Sequence, residues 1–154
     1  MRIALALLLA AAPSAAATMP QLEMPSLADS LRTLKAEEQR IVDETVQLIQ
    51  KKEHTLAFLA LSRLVKSNPK NSSLRVLRSY AALQLANLAG ALEDARIAEG
   101  SGAPSAYRCW FLAQVAFLAG NAKMCRREVA HLEADSTYGS QAVKLRQNLE
   151  TGKR

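Results

Sequence analysis

The chain has 154 residues, the length of one domain. Its 49% apolar and 22% charged residues exclude a collagen-like, mucin-like or wholly disordered chain. The excess of Ala and Leu over the six Gly, five Pro and 5% aromatics excludes a turn-rich sandwich or barrel and points to an all-α protein. The net charge of +6 is a mild tilt, because Lys35, Arg40, Arg63, Lys66, Arg75, Arg78 and Arg96 are scattered. They form no basic block of the kind that marks nucleic-acid binding, so no nucleic-acid partner is expected.

Residues 1–17 read as a signal peptide. Arg2 supplies the positive start, Ile3–Ala12 an apolar run, Pro13-Ser14 a break, and Ala15-Ala16-Ala17 an A-x-A cleavage site. The run is too short for a bilayer, which needs about 20 residues. No Cys follows it to carry a lipid. The expected product is soluble, periplasmic or extracellular, with no transmembrane segment after cleavage.

Residues 18–26 carry two prolines and no periodicity, and read as a linker. A helix capped by Ser26 or Asp29 is expected to run through Leu31, Leu34, Ile41, Thr45 and Leu48. The helical domain spans 27–150, with 151–154 as a tail. Its breaks fall at Lys51–Glu53, Asn68–Asn71, near Asn87, at 100–104, at Gly120-Asn121 and at Ser136–Gly139. Helices of this length joined by such short turns imply antiparallel hairpins.

An internal period of 34 runs through these hairpins. Ala57, Ala91 and Cys125 fall in one column, Leu61, Ala95 and Val129 in a second, and Leu64, Ala98 and Leu132 in a third. The turns align as Glu53, Asn87 and Asn121. Small residues let two helices approach, and larger apolar ones fill the space one and two turns on. The repeats are then 38–71, 72–105 and 106–139, with a capping helix at 141–149. Strict register would bury Arg75 and Arg78, so a one-residue slip that buries Leu74, Leu77 and Ala81 is expected at the start of the second repeat.

A 34-residue helix–turn–helix period resembles the tetratricopeptide repeat family. The resemblance rests on Ala57, Leu61, Leu64 and Asn68-Pro69 in the first repeat, and on Leu112-Ala113, Ala116 and Leu118-Ala119-Gly120-Asn121 in the third. Ile41, Arg75 and Cys109 stand where the family has an early Trp, and only the first repeat keeps the closing Pro. The resemblance implies an α-solenoid of about three hairpins plus a cap, with a concave groove lined by the first helix of each hairpin. The lining would be Val42, Val46 and Ile49, then Val76, Tyr80 and Leu83, then Tyr107, Trp110, Gln114 and Phe117. Such a groove suits a peptide or a partner helix. Trp110 and Phe117 have an alternative role, packing on Val143, Leu145 and Leu149 to cap the array. A carboxylate clamp is not expected, because Gln39, Val42, Asp43, Val46, Ser73, Val76, Leu77 and Tyr80 lack the family's Lys, Arg and Asn set.

Catalysis has little support. His54 and His131 have no local partners, and no nucleophile, phosphate-loop or zinc motif is present. Neither an enzyme nor a cofactor or metal is expected. Cys109 and Cys125 lie on the two helices of the third hairpin, but out of the directly opposed register. Their Cα atoms then exceed the roughly 7 Å a bridge spans, so two small buried hydrophobes are favoured over a Cys109–Cys125 disulfide. The expected function is a non-enzymatic adaptor or scaffold that binds a protein or peptide. A structural or self-associating subunit of an envelope complex, with no free groove, is the alternative. A small-ligand binder comes last.

Overall fold

A computed structural model describes residues 19–101 and 105–152. The expected signal peptide lies outside the described residues. Within them the fold is all-helical and holds no strand. Eight helices are described: α1 (Met24–Leu31), α2 (Ala36–Gln50), α3 (His54–Ser67), α4 (Ser72–Gln84), α5 (Leu88–Glu99), α6 (Ala106–Leu118), α7 (Ala122–Ala130) and α8 (Gly139–Thr151). None of them is long and apolar enough to cross a membrane.

From α2 onward each helix packs against the next, whereas α1 reaches over α2 and α3 to pack on α4. All nine residues of the three sequence columns are buried, none more than 4% exposed. Leu74, Leu77 and Ala81 are fully buried, as the register slip requires, but Arg75 and Arg78 are largely buried beside them, their side chains 12% and 20% exposed.

The turns recur at the same spacing as the columns. Lys52, Ala86 and Gly120 all adopt positive φ (62°, 57° and 72°). The next residue's amide then reaches back to a carbonyl of the preceding helix: Glu53 to Leu48, Asn87 to Ala82, Asn121 to Ala116, at 2.8–2.9 Å. This left-handed closure satisfies carbonyls that the helix end would leave open. Asn71, Asn87, Ser105 and Asn121 then cap α4 to α7, each accepting the backbone N–H three residues on.

The N-terminal region departs from the reading of a linker followed by one long helix. α1 begins at Met24, inside the expected 18–26 linker, with Pro25 in its first turn where a missing N–H costs nothing. The chain turns at Arg32–Lys35, and Glu38 accepts the Lys35 amide at 3.1 Å to start α2. Two helices form because α1, with Leu27 and Leu31 buried, packs on α4, whereas α2, with Val42 and Ile49 buried, packs on α3. The last break is also longer than expected. α7 ends at Ala130, and Asp135 Oδ1 holds the Thr137 and Tyr138 amides at 2.8 Å before α8 begins at Gly139.

Candidate functional site

The first helices of the hairpins, α2, α4 and α6, share a face that the sequence reads as an open groove. Most of it is covered. Val42, Ile49, Val76, Leu83, Tyr107, Gln114 and Phe117 are buried, and only Val46, Tyr80 and Trp110 are half-buried. The expected free groove over all ten residues is therefore corrected: residues 19–34 form a strap across this face. Amphipathic α1 has an apolar stripe to bury, and α4 offers the surface.

Side chains of the helices hold the strap by its main chain. Gln39 Nε2 donates to the carbonyls of Leu34 (2.8 Å) and Arg32 (3.2 Å). Ser73 Oγ donates to the Leu27 carbonyl at 3.1 Å. Tyr107 Oη donates to the Gln21 carbonyl at 3.0 Å and accepts the Glu23 amide at 3.2 Å. Asn71 Nδ2 adds a bond to the Ser30 carbonyl at 2.9 Å. Burial of the Tyr107 ring pushes its hydroxyl up to about 12, so it remains a protonated donor at any ordinary pH. Pro20 is fully buried at the strap's start.

Beyond the strap a recess is left among the described residues. A cleft of about 490 Å³ lies between α6, the Tyr138 turn, α8 and the strap residues Met19, Gln21 and Glu23. This is within the roughly 300–1,000 Å³ of ordinary ligand clefts. Trp110 stacks on Tyr138 with ring centroids 6.0 Å apart and planes 21° apart, and Phe117, Leu118 and Leu145 add to the apolar lining. The polar rim includes Gln141, Lys144 and Asn148. Tyr138 Oη donates to Glu23 Oε2 at 2.5 Å, and burial together with that carboxylate raises the Tyr138 pKa. Trp110 thus lines the cleft while it stacks on Tyr138, the residue just before α8.

The groove residues of the first two hairpins take no part in this cleft. Sequence reasoning also missed Glu23, Tyr138 and Gln141. Gln141 carried a usable signal, since it lies 34 residues after Tyr107. Glu23 and Tyr138 carried none, because they meet across 115 positions of chain.

Two buried polar clusters lie outside the cleft. Asp94 on α5, 2% exposed, receives Arg78 through Nε and Nη2 at 2.6 Å and Arg75 through Nη1 at 3.0 Å. Glu128 on α7 lies beside Glu99, Arg127 and Cys109, and its pKa rises to about 7 through desolvation and the neighbouring Glu99 carboxylate. Both cysteines are free and buried, not bridged, and desolvation raises each thiol to about 11. Among the described residues no three His, Cys, Asp or Glu side chains gather as a metal set. In comparisons with known proteins, the chain matches no family model, no curated protein and no solved structure.

Proposed function

We propose that the chain is an exported, non-enzymatic interaction module that docks an extended segment of a partner protein in the cleft beside Trp110. The observation that carries this reading is that cleft: among the described residues, an aromatic floor with a polar rim beside the end of the strap. Trp110 and Tyr138 are held against each other, so they offer contact area at little entropic cost. Export is inferred from Arg2, the apolar run and the A-x-A site. A tetratricopeptide-like array of three hairpins with a cap is supported by the 34-residue recurrence of buried columns, left-handed turn residues and caps. The site is narrower than the ten-residue groove, and its working residues are Trp110, Gln114, Phe117 and their neighbours on α8.

The test uses the chain and its Trp110→Ala variant as baits on envelope extract, with circular dichroism as the check on folding. The expected result is a partner captured by the parent and lost by a still-folded variant. Equal capture by both, or by neither, would sink the cleft as a site.

A second reading has its own observation. Leu56 and Leu59 are 53% exposed on α3, and Leu85 and Leu88 are exposed at the α4–α5 turn. A structural subunit that self-associates through these leucines would show a mass that rises with concentration in sedimentation equilibrium. Leu56→Glu with Leu59→Glu would hold it at the monomer mass.

A further inference from the structure

The three side chains that hold the strap are not arbitrary. Gln39, Ser73 and Tyr107 are spaced 34 residues apart and occupy the first turns of α2, α4 and α6. Each donates to a main-chain carbonyl, reading Leu34 and Arg32, then Leu27, then Gln21. The strap therefore passes along the array toward lower residue numbers, with one donor per first helix. These contacts use the peptide group and not a side chain, so they tolerate any sequence that can present a carbonyl there.

One more step of 34 arrives at Gln141, in the first turn of α8. Its side chain is exposed, lines the cleft together with Met19 and Gln21, and makes no hydrogen bond among the described residues. We infer that Gln141 is a fourth rung of this ladder and donates to a backbone carbonyl of an extended partner segment, which continues the strap's path through the cleft. The segment runs in the strap's direction, with its C-terminal end toward Met19 and an apolar side chain on the Trp110–Tyr138 stack. Continuity with the strap interface selects this occupant: the same face already accepts an extended chain carrying Pro20 in a buried position. The inference rests on the adaptor reading and specifies how that site reads its ligand.

The single tryptophan of the chain lies in the cleft, so its fluorescence reports occupancy there. The probe is a terminally blocked octapeptide with the sequence of residues 19–26, which contains no Trp. The full chain is titrated with it, beside Gln141→Leu and a control, Gln147→Leu, an exposed α8 position that does not line the cleft. The expected result is a saturable change in the parent, a five- to tenfold weaker Kd for Gln141→Leu, and a Kd within twofold for the control; this is the loss of about one hydrogen bond. Hydrogen exchange at the Glu23 amide should stay slow with peptide bound, because the strap remains in place.

Equal affinity of the parent and Gln141→Leu overturns the fourth rung. If a fluorescein-labelled copy still loses affinity for Trp110→Ala by anisotropy, the adaptor reading survives that result. No binding to any form, up to millimolar peptide, overturns both. Loss of Glu23 protection on adding peptide would mean displacement of the strap, and overturns in-line docking. Binding only after removal of residues 1–17 would show that the leader must leave before the segment enters, and supports the rung in the cleaved form. A peptide-free dimer that blocks the probe would assign the rung to a second copy and overturns the partner segment.

Discussion

Asp94 is the residue whose loss should cost most. It is buried among alanines of α5 and is the shared counter-charge of Arg75 and Arg78. The side chain of Arg78 also lies 5.9 Å from the Phe58 ring centroid, so the cluster ties α5 to α4 and α3. Asp94→Ala leaves two largely buried guanidinium groups without their counter-charge, a change that costs about 3–5 kcal/mol in comparable sites. Urea unfolding should show a lower midpoint with the slope unchanged. The register slip was legible from Arg75 and Arg78 alone. Asp94 was not: the pattern shows that two arginines cannot be buried unpaired, but it does not say which carboxylate answers them.

Glu128 makes a prediction in pH. Its carboxyl has an ordinary value of 4.5 in the unfolded chain and about 7 in the fold, because burial and Glu99 both disfavour its charge. Below 4.5 both states hold the proton and the fold is undiminished by this group. As pH rises from 4.5 to 7 the unfolded chain releases its proton first, so stability falls across that window and levels off above it. Glu128→Gln should flatten the slope and raise stability above pH 7 by on the order of 1–2 kcal/mol, read from melting curves at pH 5 and pH 8. The neighbouring Cys109, with Cys125, gives a simpler outcome. With both thiols raised to about 11, roughly one molecule in a thousand is a thiolate at pH 8. A thiol reagent should leave both unlabelled in the native chain and label two per chain in denaturant.

At the scale of helices and turns, one backbone device is used three times with different residues. Position 120 is glycine, but positions 52 and 86 hold Lys and Ala in the same left-handed conformation. A side chain there costs about 1 kcal/mol. Lys52→Gly and Ala86→Gly should therefore each stabilise the chain by up to about 1 kcal/mol, less the entropy glycine adds to the unfolded state, and Gly120→Ala should destabilise it by about that amount. Chemical denaturation of the three variants checks the set, and equal midpoints for all three would show that a side chain at these left-handed positions carries no cost. The sequence made the hairpins legible because buried columns and capping asparagines both obey one period. The strap was less legible. Pro20 and Pro25 read as linker punctuation, yet one is buried and the other starts a helix, because a neighbouring face was waiting to be covered.

On the scale of the whole molecule, the strap joins parts of the chain that consecutive packing keeps apart. Each helix from α2 to α8 touches mainly its neighbours, so an array of this kind can fray from either end. Tyr107 reaches Gln21 and Glu23, and Tyr138 reaches Glu23, which ties the N-terminal residues to the C-terminal third. Burial of Leu27 and Leu31, each worth about 2 kcal/mol, keeps α1 down, whereas residues 19–23 depend on Pro20 and these hydroxyls. Tyr107→Phe keeps the ring and removes both of its strap bonds. The Glu23 amide should then exchange about tenfold faster, the loss of one net hydrogen bond, while amides in the middle of α4 and α6 keep their parent rates. If instead α4, α6 and the strap all accelerated together, the strap would open only with global unfolding. The cleft beside Trp110 would then be a fixed feature of one cooperative unit, its strap wall incapable of moving on its own to admit a ligand.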